Sequence, residues 1–195
     1  MNLLAKLRSE LFYIVKTQKA DISEAAVSLD KHMKRLSGGD ASALESIYKK
    51  THKAVYYTAL SILKERSLAE DVMQTTYLKV IKNARKYRNG TNVAAWVLSI
   101  SRNEALNLKK KRGRETYVDE RENASLFGSQ NTDDYGLIID LARRTLPQDE
   151  FEILLLVAAA GYKRREISEM LALPVSTVTY KLTCATDKML KALED

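Results

Sequence analysis

Apolar positions recur at helical spacing along most of this chain, and the breaks between stripes divide it into short segments. Leu3, Leu4, Leu7, Leu11, Ile14 and Val15 share one face of an amphipathic N-terminal helix expected to pack on the rest of the protein; a partner-docking or membrane-surface role is the alternative. Asp21 to Glu24, with Ser23 able to cap, end this arm and restart helix. After the break Ser37-Gly38-Gly39-Asp40, either Asp40 or Ser42 can cap a helix running through Tyr48 towards Leu63. Between Leu68 and Ala84 the 100° advance per residue puts Ala69, Val72, Met73, Thr76, Tyr77, Val80 and Ala84 on a core side. Asp71, Gln74, Thr75, Leu78 and Lys82 fall on the other. Spacing alone favours reading Leu78 as an incidental surface leucine, with an apolar anchor for a partner helix as the alternative.

A turn at Tyr87-Arg88-Asn89-Gly90 precedes a second helix from Asn92, with Val93, Trp96, Val97 and Ile100 facing inward. On its outer part Arg102, Asn103, Asn107 and Lys110 present amides and cations; amide and guanidinium groups read base edges, and lysines hold phosphates. Further on, Pro147 suits the first turn of a helix whose apolar face is Phe151, Leu154, Leu155 and Ala158, and Gly161 stops it. Lys163 to Leu171 then predicts a short helix, Ala172-Leu173-Pro174 a tight turn, and Val175 to Leu193 a longer helix with Val178, Leu182, Ala185, Met189 and Ala192 inward. Two helices joined in this way describe a helix-turn-helix, a pattern that small helical bundles share.

Composition narrows the class. With 7 Gly and 2 Pro in 195 residues, turn-makers are fewer than half the average of roughly 7% and 5%, so sandwiches and barrels are excluded and an all-α fold is expected. Cys184 is the one cysteine, which rules out an internal disulfide or a multi-thiolate zinc site and suits a reducing cytosol. The longest apolar run, Ile153 to Ala160, is too short to span a bilayer, and Lys6, Arg8, Glu10 and Lys16 interrupt any signal-peptide core, so the expected location is cytoplasmic. His32 and His52 read as ordinary helix residues. No phosphate loop, catalytic triad or metal set is present in the sequence, so neither enzymatic activity nor a catalytic residue, metal or cofactor is expected.

Charge is unevenly placed. The total is +7, but residues 79–114 hold eleven Lys and Arg against Glu104 alone, a window of +10. Residues 115–134 carry −5 around Gly128-Ser129-Gln130-Asn131, which reads as a linker, and the chain from Pro147 onward carries −2. Lys109 to Arg114 taken alone reads equally well as a solvated helix end. The whole basic window has the electrostatic footprint of a phosphate-backbone contact.

The order of parts resembles a bacterial RNA polymerase sigma factor of the extracytoplasmic-function (ECF) group of the sigma-70 family. The carrying stretches are Gly39-Asp40 with Ile47-Tyr48, Ala69 to Val80 (AEDVMQTTYLKV), Ala95 to Leu106 (AWVLSISRNEAL) and the Lys/Arg run. In the second half they are Leu146-Pro147, Ile153 to Leu156, Gly161-Tyr162, Glu166 to Leu171 and Ser176-Thr177-Val178. The resemblance implies an N-terminal arm (1–35), a region 2-like domain (36–113), an acidic linker (114–136) and a region 4-like helix-turn-helix domain (137–195). It also implies a sigma factor that directs promoter recognition and opening, with core RNA polymerase (clamp helices and flap) and promoter DNA as partners and an anti-sigma factor as a further candidate. By resemblance, Asp71, Gln74 and Leu78 dock on the clamp helices, which reverses the incidental reading of Leu78. Arg85, Lys86, Arg102, Asn103, Asn107 and Lys110 are expected at the minus-ten element, and Ser176, Thr177, Thr179, Tyr180 and Lys181 at the minus-thirty-five element.

Some positions depart from the family pattern. Thr179, Cys184 and Thr186 stand where Lys or Arg is common, Pro174 stands where a capping Ser is usual, and Asn107 where an acid is common. Minus-thirty-five recognition is therefore expected to be weak, narrow or dependent on tethering. A stand-alone helix-turn-helix regulator and a sigma-like polymerase adaptor with degenerate minus-thirty-five recognition are the alternatives.

Overall fold

The sequence breaks at Ser37–Asp40 and Tyr87–Gly90 become tied turns. In a computed structural model, which describes residues 23–115 and 134–193, the helices are α1 (Ser23–Ser37), α2 (Ala43–Leu63), α3 (Arg66–Asn83) and α4 (Val93–Glu115), followed by α5 (Asp134–Thr145), α6 (Gln148–Ala158), α7 (Arg164–Leu171) and α8 (Val175–Ala192). A single 3₁₀ turn, Ala84–Lys86, extends α3. No strand occurs among the described residues. The arm stripe from Leu3 to Val15 and the core of the acidic linker lie outside them.

The turn before α2 is held by Asp40, whose carboxylate accepts bonds from Ser42 N (3.0 Å), Ser42 Oγ (2.6 Å) and Arg35 Nε (2.9 Å). These two partners hold its carboxyl below the usual carboxylate value. Gly39 takes φ +100°, a region that favours glycine. Before α4, the Gly90 N–H (φ +82°) and the Tyr87 hydroxyl both donate to Asp30 Oδ1, tying the turn back to α1, while Asn92 Oδ1 caps the Ala95 N–H at 2.9 Å.

Helices α1 to α4 enclose one cluster: Leu29, Met33, Leu36, Ile47, Val55, Tyr77, Val80, Val93 and Val97 are buried together. Leu29 and Met33, which the sequence places within the arm, are thus core residues of this bundle. The α3 core stripe is buried as spaced, except that Met73 is half-buried. Trp96 is also half-buried, its ring edge-on to Tyr87 with centroids 5.5 Å apart.

A second cluster crosses between the two halves of the chain. Ala54, Ala59, Leu60 and Ile62 of α2, with Ala69, Val72, Leu98 and Ala105, pack with Leu146, Ile167, Val178, Leu182, Met189 and every residue of α6 that is apolar between Phe151 and Val157. The face predicted for α6 is therefore only half of what it buries. A helix apolar all round must be covered on both sides; α8 covers one side of α6 and α2 the other.

Candidate polymerase and nucleic-acid interface

Helix α3 is buried along one side and presents Asp71, Gln74, Thr75, Leu78 and Lys82 to solvent, as its spacing predicts. Leu78 is 68% exposed, and next to it in the helical row is Ile81, 48% exposed. Positions 71, 74, 78 and 81 form a continuous i, i+3, i+7, i+10 row. Ile81 was missed in the sequence, although its place three residues beyond Leu78 was the available signal. Two adjacent exposed aliphatic side chains framed by a carboxylate and an amide make a surface suited to a partner helix.

Farther along the same bundle lies the basic surface. Arg85, Lys86, Arg88, Lys109, Lys110 and Lys111 are exposed, and on α4 so are Asn103, Leu106 and Asn107. Some cations of the +10 window meet acids: Lys79 Nζ lies 2.5 Å from Glu104 Oε1 and Arg112 Nη1 lies 2.6 Å from Glu65 Oε2. Asn103 and Asn107 stand one turn apart beside Lys110, placing amides and ammonium on one face.

Arg102 behaves differently from its neighbour Asn103. Its Nη2 donates to Glu152 Oε1 across the boundary between the two halves, at 2.8 Å, and Thr58 Oγ1 donates to the same oxygen at 2.9 Å. Glu152 is 2% exposed. Burial pushes its carboxyl up, against the pull of Arg102 and the Thr58 hydroxyl, and the nearby Asp149 charge adds to the rise. Nothing in the −2 charge count marked Glu152 as buried; its signal was an acid set between Phe151 and the apolar run that begins at Ile153.

Other contacts cross the same boundary. Tyr162 Oη donates to the Lys50 carbonyl at 2.6 Å, and burial pushes its hydroxyl up to about 12. Lys64, in the left-handed region at φ 61°, sends Nζ to the Arg143 carbonyl (2.8 Å) and stands 4.8 Å from the Phe151 ring centroid. Its ammonium is held below the usual lysine value by burial and by the charges of Lys109 and Arg143.

The helix-turn-helix consists of α7, a turn with Ala172 at φ 52°, and α8. Glu166 Oε2 accepts the Lys163 N–H at 2.7 Å and fixes the start of α7. On α8, Ser176 and Tyr180 are exposed, Tyr180 at 70%, whereas Thr177, Thr179 and Lys181 are half-buried. Thr179 Oγ1 is used on the Val175 carbonyl at 2.8 Å. Two of the three lysines of this helix are engaged by α6: Lys181 by Asp149, and Lys188 by Glu150 at 2.7 Å. Those carboxylates raise both ammonium groups above their usual value. Much of the sparse positive charge of α8 is thus neutralised within its own module. Among the described residues no group of His, Cys, Asp and Glu is placed to hold a metal.

Comparison with known proteins agrees with this layout. Residues 47–115 match the model of Sigma-70 region 2, and residues 137–189 match that of Sigma-70, region 4. The ECF RNA polymerase sigma factor EcfG of Rhodopseudomonas palustris (strain TIE-1) is 28% identical over 134 residues, 67% of this chain and 74% of that protein. The ECF RNA polymerase sigma factor SigK of Mycobacterium bovis (strain BCG / Pasteur 1173P2) is 24% identical over 180 residues, 85% of this chain and 94% of that protein. Among solved structures, CnrH in complex with the cytosolic domain of CnrY superposes with a TM-score of 0.60 at 17% identity, covering 86% of this chain and 97% of that one. The sigma factor RpoE from Bartonella quintana, in complex with the anti-sigma factor NepR, gives a TM-score of 0.56 at 22% identity, over 77% of this chain and 96% of that one.

Proposed function

The chain belongs to the ECF group of the sigma-70 family and is a sigma factor that directs transcription initiation, and from that premise we propose how its residues divide the work. Core RNA polymerase docks on the α3 row Asp71, Gln74, Leu78 and Ile81, where exposed aliphatic area stands beside polar groups. The minus-ten element lies along the basic face formed by Arg85, Lys86, Asn103, Asn107 and Lys110, and Arg102 joins them once released from Glu152. Capturing an unstacked base costs a few kcal/mol, which pocket contacts and the surrounding cations offset. Ser176, Thr177, Thr179, Tyr180 and Lys181 face the minus-thirty-five element, with little net charge to contribute.

The first module spans α1 to α4, because Leu29 and Met33 share its core, and α5 to α8 form the second. An anti-sigma factor is a further partner, as RpoE and CnrH were solved with protein partners. The site of action is the cytoplasm, where polymerase works; among the described residues no helix is long and apolar enough to cross a membrane. Sigma factors have no catalytic chemistry of their own, and none is assigned here.

The observation carrying this reading is the match to two sigma-70 regions in their family order, each coinciding with a helical module that bears a solvent-facing docking row or a helix-turn-helix. That order, and the neutralised lysines of α8, disfavour the stand-alone regulator. The test is transcript-start mapping with the purified chain and core polymerase. Defined starts preceded by shared elements are expected, and failure to bind core would refute the assignment.

A further inference from the structure

Where the turn between α2 and α3 meets the end of α5, an open cleft of about 450 Å³ is lined by Leu63, Lys64, Glu65, Arg143 and Arg144. That volume is within the size of small-molecule sites. None of the five belongs to the α3 docking row, the minus-ten face or the helix-turn-helix.

The cleft gathers more positive charge than it balances. Lys64, Arg143 and Arg144 line it, the charge of Lys109 on α4 bears on the Lys64 ammonium, and Arg112 of α4 reaches Glu65 at 2.6 Å. Against these five cations stand two acids, Glu65, which Arg112 engages, and Asp140, 3.5 Å from Arg143, leaving +3 among the described residues. Lys64, Lys109 and Arg144 have no carboxylate partner among those residues. The backbone holds the cations in place without neutralising them. Lys64 Nζ gives one bond to the Arg143 carbonyl (2.8 Å) and a longer one to the Leu146 carbonyl (3.4 Å), and Arg143 Nη1 donates to the Lys64 carbonyl at 3.1 Å. An ammonium has three donors, so Lys64 keeps one for a ligand. Like charges brought together at a half-buried place repel, and burial with the charges of Lys109 and Arg143 already depresses the Lys64 ammonium. An anion seated among them would relieve that repulsion.

We propose that this cleft binds a small oligophosphate anion of the diphosphate class, held by half-buried Lys64 and exposed Arg144, with Lys109 adding charge from α4. The excess of three charges calls for a multiply charged anion rather than a single carboxylate. A free anion fits better than a duplex backbone, because Lys64 is half-buried and the Arg143 side chain is only 16% exposed, recessed from the convex line that duplex phosphates present. The inference does not depend on promoter recognition, and its test needs no polymerase.

Isothermal titration calorimetry of the full chain with inorganic pyrophosphate, at ionic strength fixed with sodium chloride, should show one site per chain. Orthophosphate should bind more weakly. Lys64→Gln should weaken pyrophosphate binding about tenfold or more, as loss of a charge-assisted hydrogen bond does, and Arg144→Gln severalfold. Lys31→Gln, an exposed cation of α1 outside the cleft, should leave it unchanged. Absence of binding at millimolar pyrophosphate, equal affinity for orthophosphate, or affinity unaffected by both cleft substitutions overturns the proposal. So does a chain that ignores pyrophosphate but whose binding to duplex DNA falls with Lys64→Gln, an outcome that gives the cleft to nucleic acid. If Lys64→Gln loses its helical circular dichroism, Arg144→Gln decides, and an unchanged affinity in that variant overturns the proposal.

Discussion

Lys181 on the recognition helix is held by Asp149 at the start of α6, two turns of α8 away from the equivalent pair of Lys188 and Glu150. Each of these cations would otherwise be available to a phosphate. Asp149→Asn combined with Glu150→Gln is expected to strengthen binding of the full chain to duplex DNA carrying the minus-thirty-five element. If both lysines then reach phosphates, the slope of log affinity against log salt steepens by about 2. Titration by fluorescence anisotropy between low and physiological salt measures it, and an unaltered slope means that α8 does not contact backbone there.

Docking on α3 should depend on Ile81 as well as Leu78. Both are largely exposed, so Leu78→Ala and Ile81→Ala are expected to leave the melting temperature within about 2 °C, as surface changes stay near ±0.5 kcal/mol. Each should weaken core-polymerase binding by about 1–2 kcal/mol, the cost typical of an apolar interface anchor. Surface plasmon resonance against immobilised core distinguishes this outcome from a surface that polymerase does not touch.

The basic end of α4 makes a separate demand. Lys109, Lys110 and Lys111 are exposed, and replacing all three by Ala should reduce the salt slope of promoter binding by about 2–3. Melting should be little changed. Retention of the full slope would place the phosphates elsewhere.

The buried carboxyl gives the packing of α6 on α2 a pH dependence whose sign follows from its shift. Burial raises Glu152 above its ordinary value of 4.5, despite Arg102 from α4 and Thr58 from α2, and Asp149 on its own helix adds to the rise. Separation of α6 from α2 returns it towards 4.5, so the packed arrangement holds its proton more tightly than a parted one. Stability of the packing from this source is complete below the ordinary value and lost as pH rises through the raised one. Protection of the α6 amides against hydrogen exchange, corrected for intrinsic rates, should decline over that interval, and Glu152→Gln should flatten the decline. Asp149 bonds Lys181 within one module, so its own titration is not coupled to separation.

Much of the fold was legible because helical spacing and the scarcity of glycine and proline leave few options. The α3 faces, the Gly39, Gly90 and Gly161 breaks and the inward stripe of α8 follow directly from residue order. What escaped was tertiary. Phe151 to Val157 can be seen to be apolar, but a one-dimensional pattern does not reveal that the second side of α6 is covered by α2. The same limit hid Glu152, whose partners are 50 and 94 positions away, and it placed Arg102 beside Asn103 without showing that it turns the other way. The departure at α8 was visible as missing Lys and Arg; that Lys181 and Lys188 are neutralised needed the packing of α6.

Helix α6 also sets a solubility problem for the working molecule. Any event that parts the modules uncovers aliphatic surface on both α6 and α2 at once, and apolar area in water costs roughly 25 cal/mol per Å². Exposure of those two faces is therefore disfavoured in water unless a partner covers them.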